Sequence, residues 1–192
     1  MTKNIMIVGV GGQGTLLASR VIGSAAQALG YDVKVSEVHG MSQRGGSVVT
    51  YVRYGESVAS PVIEAAEADI IIAFEALEAA RWLPYLKPGG KIISSAQRIA
   101  PMPVITGAAA YPEDIFAKIK AAGADITVVD ALAPALEAGS SKAVNIVLLG
   151  VASRFTDIPR DVWERAVRES VPERFLDMNL RAFEAGRKIM DN

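Results

Sequence analysis

Two glycine-rich stretches hold most of the side chains in this chain that could do chemistry. The first, Gly9-Val-Gly11-Gly12-Gln13-Gly14, follows the apolar run Ile5-Met-Ile-Val8 and precedes the helix-patterned segment Leu16 to Ile22. A short strand, a Gly-x-Gly-x-x-Gly turn and a helix form the entry to a doubly wound α/β sheet. On that reading Gly9 permits a tight turn, Gly11 lets a pyrophosphate approach bare backbone, and Gly14 lets the helix pack close to the strand. The amides at the helix start, with the positive end of its dipole, suit an anion. The same glycines are also needed merely to pack helix on strand, so ligand binding and packing stand as two open readings.

The second stretch is Glu37-Val-His39-Gly40-Met-Ser42-Gln43-Arg44-Gly45-Gly46. An acid at the end of a second strand holds the ribose hydroxyls in dinucleotide sites, and Glu37 fits that role by position. A loop with the only histidine, a serine, a glutamine and a lone arginine among glycines is built to bring polar groups and backbone close to something. Its candidate catalytic groups are His39, Gln43 and Arg44, although a lone His39 also reads as an ordinary loop histidine. Ser42 and Ser47 lack a Gly-x-Ser-x-Gly elbow, which argues against a hydrolase triad. No glycine turn ends in Gly-Lys-Ser/Thr, which argues against a P-loop ATPase.

Two further polar residues stand in suggestive places. Asn145 lies among Ala143, Val144, Ile146, Val147, Leu148 and Leu149, so it must find partners for a part-buried amide, structural or ligand-bound. Glu75 follows the apolar strand ending at Phe74, at the edge where open α/β sheets bind ligands, and also suits a helix start.

The elements that position these groups follow from patterning. Strands are expected at Ile5–Val8, Asp32–Val38, Ser47–Tyr54, Asp69–Phe74, Lys91–Ser94 and Ile126–Val129, with Glu56–Ser60 as a hairpin return strand. A first helix runs to about Leu29 with Gly30 as its cap, and a short helical segment spans Pro61 to Glu67. A helix follows over Glu75–Tyr85, then an extended Pro101–Ile105 piece, then a helix from Pro112 to Ala122. Ala131–Glu137, Lys142–Arg154, Arg160–Ser170 and Glu173–Lys188 complete a helical C-terminal third. The expected fold is a Rossmann-like, doubly wound, mostly parallel α/β sheet in one domain, 1–192.

Composition limits the chemistry. With 192 residues, no cysteine and one histidine, the chain offers no disulfide, thiolate nucleophile, thiolate metal site or ligands for an iron–sulfur cluster, and no metal site is expected. A net charge of −1 gives no field toward nucleic acid or membrane. No apolar run approaches a membrane span, and the strand leading straight into the glycine turn is unlike a signal peptide, so a cytoplasmic setting is expected. Phe175, Leu176, Leu180, Phe183 and Ile189, with Tyr51 and Tyr54, read either as core or as an interface that would make the isolated chain a homodimer.

The two glycine stretches, with Asp130 and Asn145-Ile-Val-Leu-Leu-Gly150, resemble the gamma subunit or domain of the 2-oxoacid:ferredoxin oxidoreductases over essentially the whole chain. The Ser42-Gln-Arg-Gly-Gly46 loop is the specific part, and its Glu37-Val-His-Gly-Met lead-in is most similar to the small-subunit branch of the indolepyruvate ferredoxin oxidoreductases. The resemblance implies oxidative decarboxylation of a 2-oxoacid, here an arylpyruvate such as indolepyruvate, to an acyl-CoA. It also implies thiamine diphosphate, Mg and [4Fe-4S] clusters in partner subunits, and ferredoxin as acceptor. This chain lacks Gly-Asp-Gly and cysteine, so it would hold neither thiamine nor iron and would be inactive alone. Gly9, Gly11, Gly12, Gln13, Gly14, Glu37, Ser42, Arg44, Gly45, Gly46 and Asn145 are the expected binding residues, with Arg44 and the helix-start amides suited to coenzyme A phosphates. A free-standing NAD(P)-binding Rossmann protein is the alternative.

Overall fold

The computed structural model describes residues 2–40 and 45–191. Its centre is a six-stranded sheet in the order β2-β3-β1-β4-β5-β6. The strands are β1 (Lys3–Val10), β2 (Asp32–His39), β3 (Ser47–Gly55), β4 (Ala68–Ala73), β5 (Leu86–Ser95) and β6 (Asp125–Val129). β1, β4, β5 and β6 pair parallel, while β3 runs antiparallel to both β1 and β2, so five strands share one direction. This is the mostly parallel, Rossmann-like sheet expected.

β3 explains the main departures from the expected elements. Its ladder with β1 extends from Lys3 opposite Tyr54 to Val10 opposite Ser47, which lengthens β1 through Gly9. Gly9 is therefore a strand residue and not the tight turn. Its missing side chain leaves room for Gln13 and Phe74, since a β-carbon there would stand 2.8 Å from Gln13 Oε1 and 3.1 Å from Phe74 Cβ. Because β3 is paired on both edges, no return strand forms over 56–60, and 61–67 is likewise not helical. That segment is instead tied to the sheet by Arg53, which donates to the carbonyls of Ser60 and Val62.

Helices cover both faces. α1 (Thr15–Gln27), α5 (Leu132–Ala138), α6 (Val144–Ala152), α7 (Arg160–Ser170) and α8 (Leu176–Lys188) share a core with Ile5, Ile7, Ile72 and Ile93 on one side. α2 (Ala76–Arg81) and α4 (Ile115–Ala121) pack on Met6, Val8, Ile71 and Ile92 on the other. The piece expected to be extended after Pro101 is one helical turn, α3 (Met102–Ile105). The expected helix at Pro112 begins only at Ile115, after Asp114 adopts φ 55°.

α6 is buried from Asn145 to Ala152, because it lies between the sheet and α8. The two helices meet at Gly150 and Gly186, where a β-carbon would stand 2.1 Å from the Phe183 carbonyl and 2.0 Å from the Val147 carbonyl, respectively. The apolar side chains of α8 therefore belong to the core: Phe183 is fully buried, and Leu176, Leu180 and Ile189 pack against it. Tyr51 and Tyr54 are buried in β3, so for these residues core packing replaces the interface reading, whereas Phe175 is exposed. Among the described residues, no helix is long and apolar enough to cross a membrane.

Candidate functional site at the carboxyl edge of the sheet

Parallel strands deliver their C-terminal ends to one edge, so the glycine turn after β1, Glu75 after β4, Gln97 after β5 and Asp130 after β6 all arrive there. Gln13 closes the glycine turn on itself. Its Oε1 accepts from the Val10 amide at 2.7 Å, and its Nε2 donates to the Phe74 carbonyl at 3.0 Å and to Gln97 Oε1 at 3.3 Å. The amide of Gly11 donates to the Gly46 carbonyl at 2.9 Å. The two glycine stretches thus meet backbone to backbone, and that amide is spent on the second loop.

Gly14 caps α1 with φ 84° and no side-chain hydrogen bond, a left-handed conformation that favours glycine. Asn145, 4% exposed, donates from Nδ2 to the Gly14 carbonyl at 3.2 Å and accepts the Ile146 amide on Oδ1 at 2.8 Å. Its first duty is to pin the glycine turn to α6. Gly14 is dictated by α6 and not by close packing of α1 on β1, since a β-carbon at 14 would meet Asn145 Nδ2 at 2.5 Å. Between them opens a cavity of ≈ 500 Å³, bordered by Gly12, Gln13, Gln97, Ser141, Lys142 and Asn145.

Glu37 is placed differently from an acid of a dinucleotide site. β3 stands between β1 and β2, and Glu37 Oε2 accepts from Thr15 Oγ1 at 3.0 Å and Thr50 Oγ1 at 3.1 Å. His39, at the end of the edge strand, is exposed, with Nδ1 3.3 Å from the Gly40 carbonyl. Asp130 accepts the Leu132 amide at the start of α5. Ser42, Gln43 and Arg44 lie outside the described residues; of the described residues of that stretch, Gly45 and Gly46 meet the glycine turn.

Sequence reasoning missed the network on the other side of this seam. Glu75 and Glu78 are both buried, at 1% and 4% exposure. Glu75 accepts the Glu78 amide, the Ile99 amide and the Tyr111 hydroxyl. Glu78 accepts Ser47 Oγ at 2.5 Å, Arg81 Nε at 3.0 Å and Trp82 Nε1 at 3.3 Å. Burial, and then the bond to Glu75, push the Tyr111 phenol well above its ordinary pKa. The Glu-x-x-Glu spacing at a helix start was the one local sign of this arrangement; Ser47, Ile99 and Tyr111 come from distant segments. Among the described residues, no cluster of three His, Asp or Glu side chains could hold a metal.

A family model described as pyruvate ferredoxin/flavodoxin oxidoreductase matches residues 4–189. The chain is 44% identical to indolepyruvate oxidoreductase subunit IorB of Thermococcus kodakarensis, covering 96% of this chain and 94% of that protein. It is 28% identical to 2-oxoglutarate synthase subunit KorC of Methanothermobacter marburgensis, over 99% of this chain and 97% of that one. Among solved structures, the keto/oxoacid ferredoxin oxidoreductase gamma subunit of Geobacter sulfurreducens superposes with a TM-score of 0.73 at 23% identity, covering 99% of each chain. The fold also recurs within 2-oxoglutarate:ferredoxin oxidoreductase of Magnetococcus marinus, at TM-score 0.68 and 18% identity, covering 99% of this chain and 31% of that one.

Proposed function

Because the chain belongs to the pyruvate ferredoxin/flavodoxin oxidoreductase family, we propose that it is the small, gamma-type subunit of a 2-oxoacid:ferredoxin oxidoreductase of the indolepyruvate kind. The observation that carries this is the 44% identity to an indolepyruvate oxidoreductase subunit over nearly the full length of both chains. The reaction oxidatively decarboxylates an arylpyruvate to its acyl-CoA, with electrons passing to ferredoxin in the cytoplasm. With no cysteine, one histidine and no Gly-Asp-Gly, this chain has no donor set for iron–sulfur clusters or thiamine diphosphate with Mg. Those groups belong to partner subunits, and residues 1–192 act as one gamma-type domain.

What this chain supplies is the shaped edge around the glycine seam. The ≈ 500 Å³ cavity, with Lys142 and Ser141 on its border and the start of α1 beside it, suits a phosphate-bearing end of coenzyme A. Gly9 and Gln13 fix the turn, Asn145 and Gly14 fix the helix start, and Glu37 holds Thr15. Ser42, Gln43 and Arg44 are the polar candidates of the second loop, which His39 precedes. A coenzyme A phosphate, a 2-oxoacid carboxylate or an acid of the partner is the target of Arg44.

The NAD(P) alternative is disfavoured by β3. It separates Glu37 from β1 by two strand spacings, about 10 Å, and two threonines already occupy the acid. Dye reduction driven by indolepyruvate and coenzyme A tests the proposal, with the partner subunit alone, with this chain, and with Arg44→Ala. Activity that requires this chain and falls in the variant is expected. Full activity without it, or stoichiometric NAD binding by the isolated chain, would overturn the reading. Size-exclusion chromatography reads self-association, for which exposed Leu16, Leu132, Leu136 and Phe175 are among the apolar side chains at the surface.

A further inference from the structure

We propose that the amino edge of the sheet carries a binding site of its own, for an organic ammonium group on an apolar body. Lys3 begins β1 opposite Tyr54 near the end of β3, at the far end of these strands from the glycine seam. There Lys3, Tyr31, Tyr54, Glu56, Asp157 and Ile158 border a cavity of ≈ 240 Å³. Its walls come from the start of β1, the end of β3, the turn after α1 and the segment ahead of α7.

One wall is aromatic, with the rings of Tyr31 and Tyr54 5.6 Å apart and tilted by 44°. Two adjoining rings on the border of one cavity offer a cation their quadrupoles. Tyr54 is 4% exposed, and among the described residues its hydroxyl has no hydrogen-bond partner. A buried polar group without a partner is costly to keep, and a ligand in the cavity supplies one. Burial, and then the charges of Asp157 and Asp69, hold the Tyr54 phenol well above its ordinary pKa, so it meets a ligand as a neutral oxygen. The charged groups on the border are two carboxylates, Asp157 and Glu56, against Lys3 alone. Lys3 Nζ lies 3.7 Å from Asp157 Oδ2, and the Asp157 side chain is 91% exposed, so the pair is loose and the other oxygen stays available. Glu56 has no ion-pair or hydrogen-bond partner among the described residues. Aromatic rings with a carboxylate in excess select a cation, and Ile158 gives its apolar body a surface. A carboxylate on the same body would meet Lys3, so simple amines and α-amino acids share this chemistry and Lys3 tells them apart.

Calorimetric titration of the full chain with phenethylamine, phenylalanine and phenylacetate is the test, using wild type, Asp157→Asn, Tyr54→Phe and Lys3→Met. Wild type is expected to bind at least one of the two ammonium compounds, and phenylacetate about tenfold more weakly or not at all. Asp157→Asn and Tyr54→Phe should each weaken the ammonium ligand about tenfold, the usual worth of a hydrogen bond to a charged group. All variants should melt as cooperatively as wild type, because Asp157 is exposed, Lys3 is half-exposed and Tyr54→Phe keeps the buried ring. Phenylalanine bound more tightly than phenethylamine, with the difference lost in Lys3→Met, identifies an α-amino acid; the opposite order identifies a simple amine. No binding of either ammonium compound to wild type, phenylacetate bound as tightly as they are, or affinities unchanged in both Asp157→Asn and Tyr54→Phe overturns the proposal. The readout involves neither turnover nor the carboxyl edge, so the oxidoreductase reading stands or falls separately in the dye assay.

Discussion

Asn145 Nδ2 donates to the Gly14 carbonyl, and the same nitrogen lies 2.5 Å from where a β-carbon on Gly14 would stand. The start of α1 and the start of α6 are thereby fitted to one another across 131 positions of sequence. This contact, more than a bound nucleotide, accounts for a glycine at the end of the turn.

Gly14→Ala should destabilise the chain by about 1–3 kcal/mol, because alanine is strained at φ 84° and collides with Asn145. Asn145→Ala removes the collision but not the strain. Urea denaturation of the two single variants and the double variant should therefore give a coupling of about 0.5–3 kcal/mol. Strict additivity would mean that the two residues do not share this contact.

Gly150 and Gly186 leave no room for a methyl group against the facing backbone of α8 and α6. Overpacking typically costs about 1–3 kcal/mol, and backbone cannot rotate away as a side chain can. Gly150→Ala and Gly186→Ala should both fall at the upper end of that range in thermal denaturation. A midpoint within 1 °C of wild type (a shift of roughly 0.5 kcal/mol or less) would show that the helices separate easily.

Gln13 is used in both directions, accepting from Val10 and donating to Phe74. Gln13→Glu keeps the acceptor and loses the donor, setting a carboxylate against a carbonyl. A loss of about 1–3 kcal/mol is expected, and Gln13→Ala should cost a comparable amount by losing these bonds together with the one to Gln97. If Gln13→Glu were as stable as wild type at pH 7, the Phe74 bond would carry no weight.

Tyr54 and Tyr111 are held protonated above the ordinary phenol value of 10.0, in each case chiefly by burial. A raised folded pKa stabilises the folded state fully below the unfolded value, and that stability is lost as pH rises above it. Stability should accordingly decline above about pH 10, less steeply in Tyr54→Phe. Phenolate absorbance at 295 nm should show these two tyrosines ionising together with unfolding. Their ionisation well ahead of the loss of helical circular dichroism would contradict the burial described.

Much of the frame was legible in the chain because it rests on local rules. α7 occupies the expected Arg160–Ser170 because proline precedes it and its apolar positions recur at helical spacing. The apolar run of β4 reads as a buried parallel strand because both its faces are covered. The glycine turn marked the carboxyl edge, and the Ser42-Gln-Arg-Gly-Gly46 loop carried the family resemblance. Those are statements about neighbours in sequence, where spacing alone constrains conformation.

Pairing and burial were decided elsewhere. Whether β3 turned back on a following hairpin strand or inserted between β1 and β2 depended on which edges remained unpaired, a choice made across the sheet. That choice moved Glu37 away from β1 and put Gly9 inside a strand. Glu78 is one acid of a short helix, and only Ser47, arriving from β3 to join Arg81 and Trp82 of the same helical segment, turned it into a buried anchor. Gly150 and Gly186 stood in ordinary helical runs, and their necessity appeared only when α6 and α8 crossed at backbone distance. Sequence spacing sets what each segment can present, but the partner that satisfies a buried polar group or fills a missing side chain is chosen by the packed fold.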